Sequence, residues 1–302
     1  MIKNTKHGYP MRKQSTYWVN FIVKNGESTI KKALESILFQ SIKPSKICIV
    51  NDGSSDGTYE ILSEFEKEHE EITHIITLPD KGYDIRRIVH NWNNACDFIK
   101  KSDKDYDFML TATEDVIFPG NYVEKLIQEI NNDKDLVVVS GSRGLEQSDY
   151  LSLPEGAGRL VKMSFFKEIG FHFPPYYGYE PWILYKALQL GYKVKKKNNL
   201  KYEHSRTFGS EHNFIEYGPS MRCLGYHPIF VLARVLRNIF TDKTGISKKA
   251  SIIMLFDYIN KSKWKNDPYY KFHDLELRKF IRSLQGKRLR EKFTNNFSKK
   301  IK

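Results

Sequence analysis

The chain has 302 residues, 40% of them hydrophobic and 28% charged, with 18 glycines and a mean hydropathy of −0.54. Such a composition excludes disordered, collagen-like and disulfide-scaffold classes, and at about 150 residues per domain it implies two units, or one large α/β domain with an appendage. The net charge of +13 is uneven: the last 82 residues carry 20 Lys and Arg against 6 Asp and Glu, the first 220 carry 29 against 30, so a neutral body is joined to a basic region suited to something anionic.

Cys48, Cys96 and Cys223 are widely spaced and odd in number, which fits neither a disulfide framework nor a zinc cluster and suggests a reducing compartment. The first 14 residues are polar and basic without an apolar core segment, so no secretory signal is read and a cytoplasmic location is expected. The apolar run 229–240 is broken by Arg234 and Arg237 and is shorter than the roughly 20 residues that span a bilayer.

Residues 18–23 and 46–50 are β-rich runs separated by a stretch in which Ile30, Ala33, Leu34, Ile37 and Leu38 recur at helical spacing, a β-α-β unit. Ser28 is placed to cap that helix, and Pro44 lies beyond its end. After the second strand comes Asn51-Asp52-Gly53-Ser54-Ser55-Asp56-Gly57-Thr58, then Ile61, Leu62 and Phe65 on one helical face with Asp56 as the expected N-cap. An acidic loop therefore sits at a strand's carboxyl end.

Residues 72–78 read as a third strand, and Ile85, Ile88, Val89, Trp92, Ala95, Cys96 and Ile99 as a long amphipathic helix. A strand over 107–111 follows. Asn121 and Glu124 resemble a capping box ahead of Tyr122, Val123, Leu126, Ile127 and Ile130, and 136–140 is apolar enough for a strand covered on both faces. Alternating elements predict an α/β fold with a mainly parallel sheet flanked by helices. Ligands of such sheets bind outside the strands' carboxyl ends, where the loops at Asp52 and at Glu114-Asp115 fall. Beyond about residue 226 the pattern is helical. Ile229, Leu232, Ala233, Leu236, Ile239 and Phe240 share a face opposite Arg234 and Arg237, and further helices are expected over 252–259 and 275–293, the last rich in Lys and Arg.

The run Val19-Asn20-Phe21-Ile22-Val23-Lys24-Asn25-Gly26-Glu27, followed by Ser36-Ile37-Leu38-Phe39-Gln40-Ser41 and by the octapeptide from Asn51 to Thr58, closely resembles the opening of family 2 glycosyltransferases with the GT-A fold. The resemblance continues more loosely through 82–87, 113–119, 156–170 and 177–194. It implies a Rossmann-like GT-A domain over 15–220, preceded by a basic segment (1–14) and followed by a basic helical extension (221–302). The implied reaction moves a sugar from a nucleotide-diphosphate donor, a UDP-sugar by preference, to a hydroxyl of a glycan or lipid-linked glycan, with inversion and metal assistance.

Donor binding is carried over to Asn25, Glu27, Asp52, Arg87 and Glu114. A carboxylate such as Asp52 can accept hydrogen bonds from base and ribose, or merely stabilise its turn. Arg87, five residues after Gly82, matches the family's basic position, with Arg86 as its rival. Departing diphosphate accumulates negative charge that Mn²⁺ or Mg²⁺ on a D-x-D motif neutralises in many relatives. Here Ala112-Thr113-Glu114-Asp115 stands at that motif, so Glu114 takes the metal-contacting position, with Asp115 and the late His204 as further ligands. Structural roles for all three are the alternative.

Inverting transfer needs a base for the acceptor hydroxyl. In Gly178-Tyr179-Glu180-Pro181-Trp182 the family's usual Asp is Pro181, which leaves Glu180, a residue that could also only complement a helix dipole. The loops between Gly141 and Gly158 are expected to shape the acceptor side. Two other readings stay open: a nucleotide-sugar-binding module without turnover, since Ala112 and Pro181 replace carboxylates, and nucleic-acid binding, for which no recognised motif is present. The basic helices, with Phe230, Phe240, Trp264, Tyr269 and Tyr270 among Lys and Arg, suit peripheral association with an anionic membrane surface.

Overall fold

The structure, a computed structural model, describes residues 15–102, 104–144, 153–206, 216–241 and 246–300, with side chains described as far as 291. The N-terminal segment 1–14 and residues 145–152 of the expected acceptor loop lie outside it.

Strand β1 (Tyr17–Val23) is buried along its whole length, as a strand sandwiched between two helical layers must be. It pairs in parallel with β2 (Lys46–Asn51) on one side and β4 (Phe108–Thr113) on the other, and β3 (Thr73–Thr77) extends the parallel set beyond β2. Beyond β4, the short β7 (Arg159–Lys162) runs antiparallel between β4 and β6 (Leu136–Ser142), and β8 (Lys193–Lys201) lies parallel to β6 at the edge. The order is β3-β2-β1-β4-β7-β6-β8, with β5 (Val116–Ile117) and β9 (Glu203–His204) forming a separate two-stranded pair.

Alternation along β1 divides the core. Tyr17, Val19, Phe21 and Val23 pack with α1 (Ile30–Leu38), α2 (Thr58–Glu68) and α4 (Tyr122–Asn132). Trp18 and Ile22 face α3 (Ile88–Lys101), α5 (Met163–Glu168) and α6 (Tyr179–Gln189). The same second cluster takes in Met221 from α7 (Tyr217–Cys223), Val235 from α8 (Pro228–Phe240), Met254 from α9 (Lys248–Ile259) and Ile281 from α10 (Leu275–Lys300). The hydroxyls of Tyr185 and Tyr226 meet at 2.6 Å across this junction, so the core runs on through residue 220, which lies inside α7. All three cysteines are free and buried, and burial pushes the Cys48 and Cys223 thiols up to about 12, leaving them inert at neutral pH.

Several local expectations need correction. Helix α1 starts at Ile30 without a cap from Ser28, because the Gly26 carbonyl accepts the N–H groups of Thr29 and Ile30. Helix α2 has Gly57 at its N-cap, although the Asp56 carboxylate still accepts the Thr58 N–H. Asn121 makes no side-chain cap, and Glu124 instead accepts the Ser41 hydroxyl at 2.8 Å. The long helix over 85–99 opens as a 3₁₀ turn, Ile85–Arg87. Edge strand β8 escapes apolar patterning because lysines line it, as suits a solvated edge; Lys193 reaches Asp133 and Lys195 reaches Glu129.

The C-terminal region departs most. Helix α8 buries Phe230, Val231 and Val235, and leaves Ile229, Leu232, Leu236 and Phe240 in solvent. The chain enters α8 from buried Tyr226, and the His227 N–H is held by Gln285 at 2.8 Å, which turns the apolar stripe outward. Of the aromatics expected at an interface, only Phe240 is well exposed: Phe230 and Trp264 are buried, and Tyr269 and Tyr270 pack against the cluster of Tyr177, Cys223 and Trp264.

Candidate active site

Because β1, β2 and β4 are parallel and in register, Val23 lies beside Asn51 and Ile22 beside Thr113. The loops that follow them therefore open along one edge, the carboxyl edge where α/β sheets bind ligands. Loop 24–27 is stitched to loop 51–58. Asn25, held at positive φ, accepts the Ser55 N–H and donates its own N–H to Ser54, while Glu27 accepts the Gly57 N–H and donates its N–H to Asp56. Asn25 and Glu27 thus build the cradle. Lys24 ties it further, donating to the carbonyls of Asp52 and Gly53 and to the Asp80 carboxylate, each within 2.9 Å. Gly53, at φ 64°, is required: a Cβ there would overlap the Asp80 backbone.

Asp52 is 8% exposed, and its carboxylate takes the Arg87 guanidinium at 2.8 Å. Arg87 also donates to the Gly82 carbonyl at 2.7 Å. The two adjacent arginines differ in their partners. Arg86 turns away to Asp84 and Asp267 and lies over the Tyr269 ring, tying the 3₁₀ turn to the C-terminal region.

The short antiparallel pairing of β5 with β9 sets Val116 opposite His204, and the Ser205 N–H donates to the Asp115 carbonyl. That contact gathers Glu114, Asp115, His204 and Arg206. The His204 ring lies 3.1 Å from the Asp115 carboxylate, whose other oxygen accepts the Thr113 hydroxyl at 2.7 Å. Burial alone would raise the Asp115 carboxyl, but His204, Thr113 and the charge of Arg206 outweigh it and hold the group below its ordinary range. Arg206 pairs with Glu114 at 3.0 Å and donates to the Asn25 carbonyl at 2.5 Å, joining this cluster to the cradle. Sequence reasoning missed Arg206, although it stands two residues after His204, the offset that returns to the same face of an extended chain.

Hard oxygen donors such as Glu114 and Asp115 are of the kind Mn²⁺ and Mg²⁺ take. Here each faces a basic side chain, and among the described residues no group of three or more His, Cys, Asp and Glu could hold a metal ion. The three residues expected as ligands come together, as the pairs Glu114–Arg206 and Asp115–His204.

Glu180 sits in the first turn of α6, half exposed, with its carboxylate 3.6 Å from the Arg159 guanidinium. Arg159, also unforeseen in the sequence, is 1% exposed and donates to the Glu180 carbonyl at 3.1 Å. The approach is close enough that a Cβ on Gly156 would overlap the Glu180 carboxylate. The Gly156 carbonyl accepts the Thr111 hydroxyl of β4, which anchors this acid next to the strand that leads into the Glu114 turn.

The family model described as glycosyl transferase family 2 matches residues 19–177, more than half of the chain. The chain belongs to glycosyl transferase family 2. Within the matched range lie loops 24–27 and 51–58, Arg87 and Glu114. A poly-β-1,6-N-acetyl-D-glucosamine synthase of Staphylococcus epidermidis is 26% identical over 118 residues, 39% of this chain, and the match spans only 26% of that protein. Among solved structures, S. aureus TarS 1–349 aligns with a TM-score of 0.51 at 15% identity, over 83% of this chain and 72% of that one. The mannosyltransferase PcManGT from Pyrobaculum calidifontis, in complex with GDP-Man and Mn²⁺, aligns with a TM-score of 0.54 at 12% identity, over 82% and 71%. TarS 1–349 in complex with UDP-GlcNAc aligns with a TM-score of 0.50 at 13% identity, over 88% and 78%. These likenesses show that this family 2 chain has the GT-A fold.

Proposed function

We propose that the protein transfers a sugar from a nucleotide-diphosphate donor, a UDP-sugar by preference, to a hydroxyl of a glycan or lipid-linked glycan. The observation that carries this reading is the meeting of the Asp52–Arg87 and Glu114–Arg206 pairs along one strand edge, bridged by loop 24–27, in a chain of this family. The preference for UDP draws support from the UDP-GlcNAc complex of TarS, while the GDP-Man complex of PcManGT keeps GDP in the panel.

In this reading Asp52 accepts hydrogen bonds from the nucleoside, held in position by Arg87. Charge developing on the departing diphosphate meets the guanidinium of Arg206, a fixed cation that costs no reorganisation as the bond breaks. Glu180 takes the proton from the acceptor hydroxyl as that oxygen attacks the anomeric carbon from the opposite face, so the product is inverted. Arg159 is the positioning residue for Glu180.

The test is to incubate the protein with UDP- and GDP-sugars and a panel of glycan and lipid-linked acceptors. Nucleoside diphosphate released only when acceptor is present, with one sugar of mass added to the acceptor, is expected. Donor binding without product would favour the module without turnover, in which Ala112 and Pro181 mark lost chemistry.

A further inference from the structure

Helices α8 and α9 wear their amphipathicity inside out. In α8 the side chains of Ile229, Leu232, Leu236 and Phe240 are 44% to 83% exposed, while Asn238 is buried and its amide finds no hydrogen-bond partner among the described residues. In α9 Ile252, Phe256 and Ile259 are 59% to 63% exposed, while Ser251 and Asp257 are fully buried. The spacing makes each exposed set one stripe along its helix, opposite the buried Val231 and Val235 in α8 and Met254 and Tyr258 in α9. The two helices pack against one another. Exposed apolar faces on this scale mark an interaction surface.

Charge decides what the surface meets. Lys248 and Lys249 head α9 and Lys261 follows it, all exposed, in a region with 20 Lys and Arg against 6 Asp and Glu. A second copy laid on this face would set cation against cation. An anionic lipid surface complements both components, acyl chains against the stripes and headgroups against the lysines. No helix among the described residues is long and apolar enough to cross a membrane, so the contact lies in the plane of the interface.

We propose that α8 and α9 form a docking surface for an anionic bilayer, their two apolar stripes entering the boundary between headgroups and acyl chains. This surface does not depend on the transfer reaction. The test is sedimentation of the whole protein with vesicles of phosphatidylcholine alone or with added phosphatidylglycerol, comparing the parent with a triple variant, Phe240→Ser, Phe256→Ser and Ile259→Ser. These residues are exposed and the change keeps the net charge, and an unchanged thermal transition verifies folding. The parent should partition onto anionic vesicles and the variant at least roughly tenfold less. Equal binding of both proteins, or none by either, would overturn the proposal. So would a concentration-dependent dimer in analytical ultracentrifugation that the triple variant abolishes, because the stripes would then cover a second copy.

Discussion

Arg206 stands 3.0 Å from Glu114 across 92 residues of sequence, and the pairing of β5 with β9 is what brings them together. This contact puts a guanidinium beside the carboxylate that a D-x-D motif would give to a metal. Replacing Arg206 with Ala should lower kcat by roughly 10²–10³, the scale for loss of one preorganised charge-stabilising donor, with Arg206→Lys intermediate. A rate unchanged in EDTA would assign the leaving-group charge to Arg206. A rate that collapses in EDTA and returns with Mn²⁺ would assign the leaving-group charge to a divalent ion.

Glu180→Gln removes the proposed base but keeps shape and hydrogen bonding. It should reduce kcat by about 10²–10³, within the range of general-base catalysis, while the KM for the donor stays near the parent value. A full-rate variant would show that another group takes the proton.

Arg87→Ala leaves the Asp52 carboxylate buried without its charged partner. Hydrogen bonds to charged groups contribute about 1.5–3 kcal/mol, so donor affinity should fall roughly ten- to hundredfold. The effect should show in binding as well as in turnover. Arg86→Ala, by contrast, should lower thermal stability with little change in donor affinity.

Gly53→Ala forces a side chain into a left-handed backbone and against Asp80. A loss of about 1–3 kcal/mol is expected from such strain, with Tm down by several degrees in a differential scan.

The Asp115 carboxyl is held below its ordinary range, so the unfolded chain takes up a proton there before the folded one does. Its contribution to stability is complete above the unfolded value of about 3.9 and is lost as pH falls through the lower folded value. An Asp115→Asn variant should therefore show a shallower loss of stability below about pH 4 than the parent in acid titration followed by circular dichroism.

The sequence made the parallel half of the sheet and the Asp52 loop legible because period-two and period-3.6 patterns there coincide with burial. It preferred Arg87 to Arg86 only by spacing from Gly82, since the acids that the two adjacent residues meet, Asp52 and Asp84 with Asp267, are set by the fold. The Glu114–Arg206 and Arg159–Glu180 pairs were invisible because each depends on a long-range contact of a short strand too small to carry its own pattern. The apolar spacing of α8 was legible, but which way its stripe faces was not, because the Tyr226 entry and the Gln285 contact that turn it outward are long-range.

The most direct test of the account is calorimetric titration of UDP-GlcNAc, other UDP-sugars and GDP-mannose into the parent protein and into Asp52→Ala. The account predicts saturable binding of at least one of them by the parent, and its loss in a variant that remains folded. Undiminished binding by Asp52→Ala, or no binding of any nucleotide sugar by the folded parent, would contradict it.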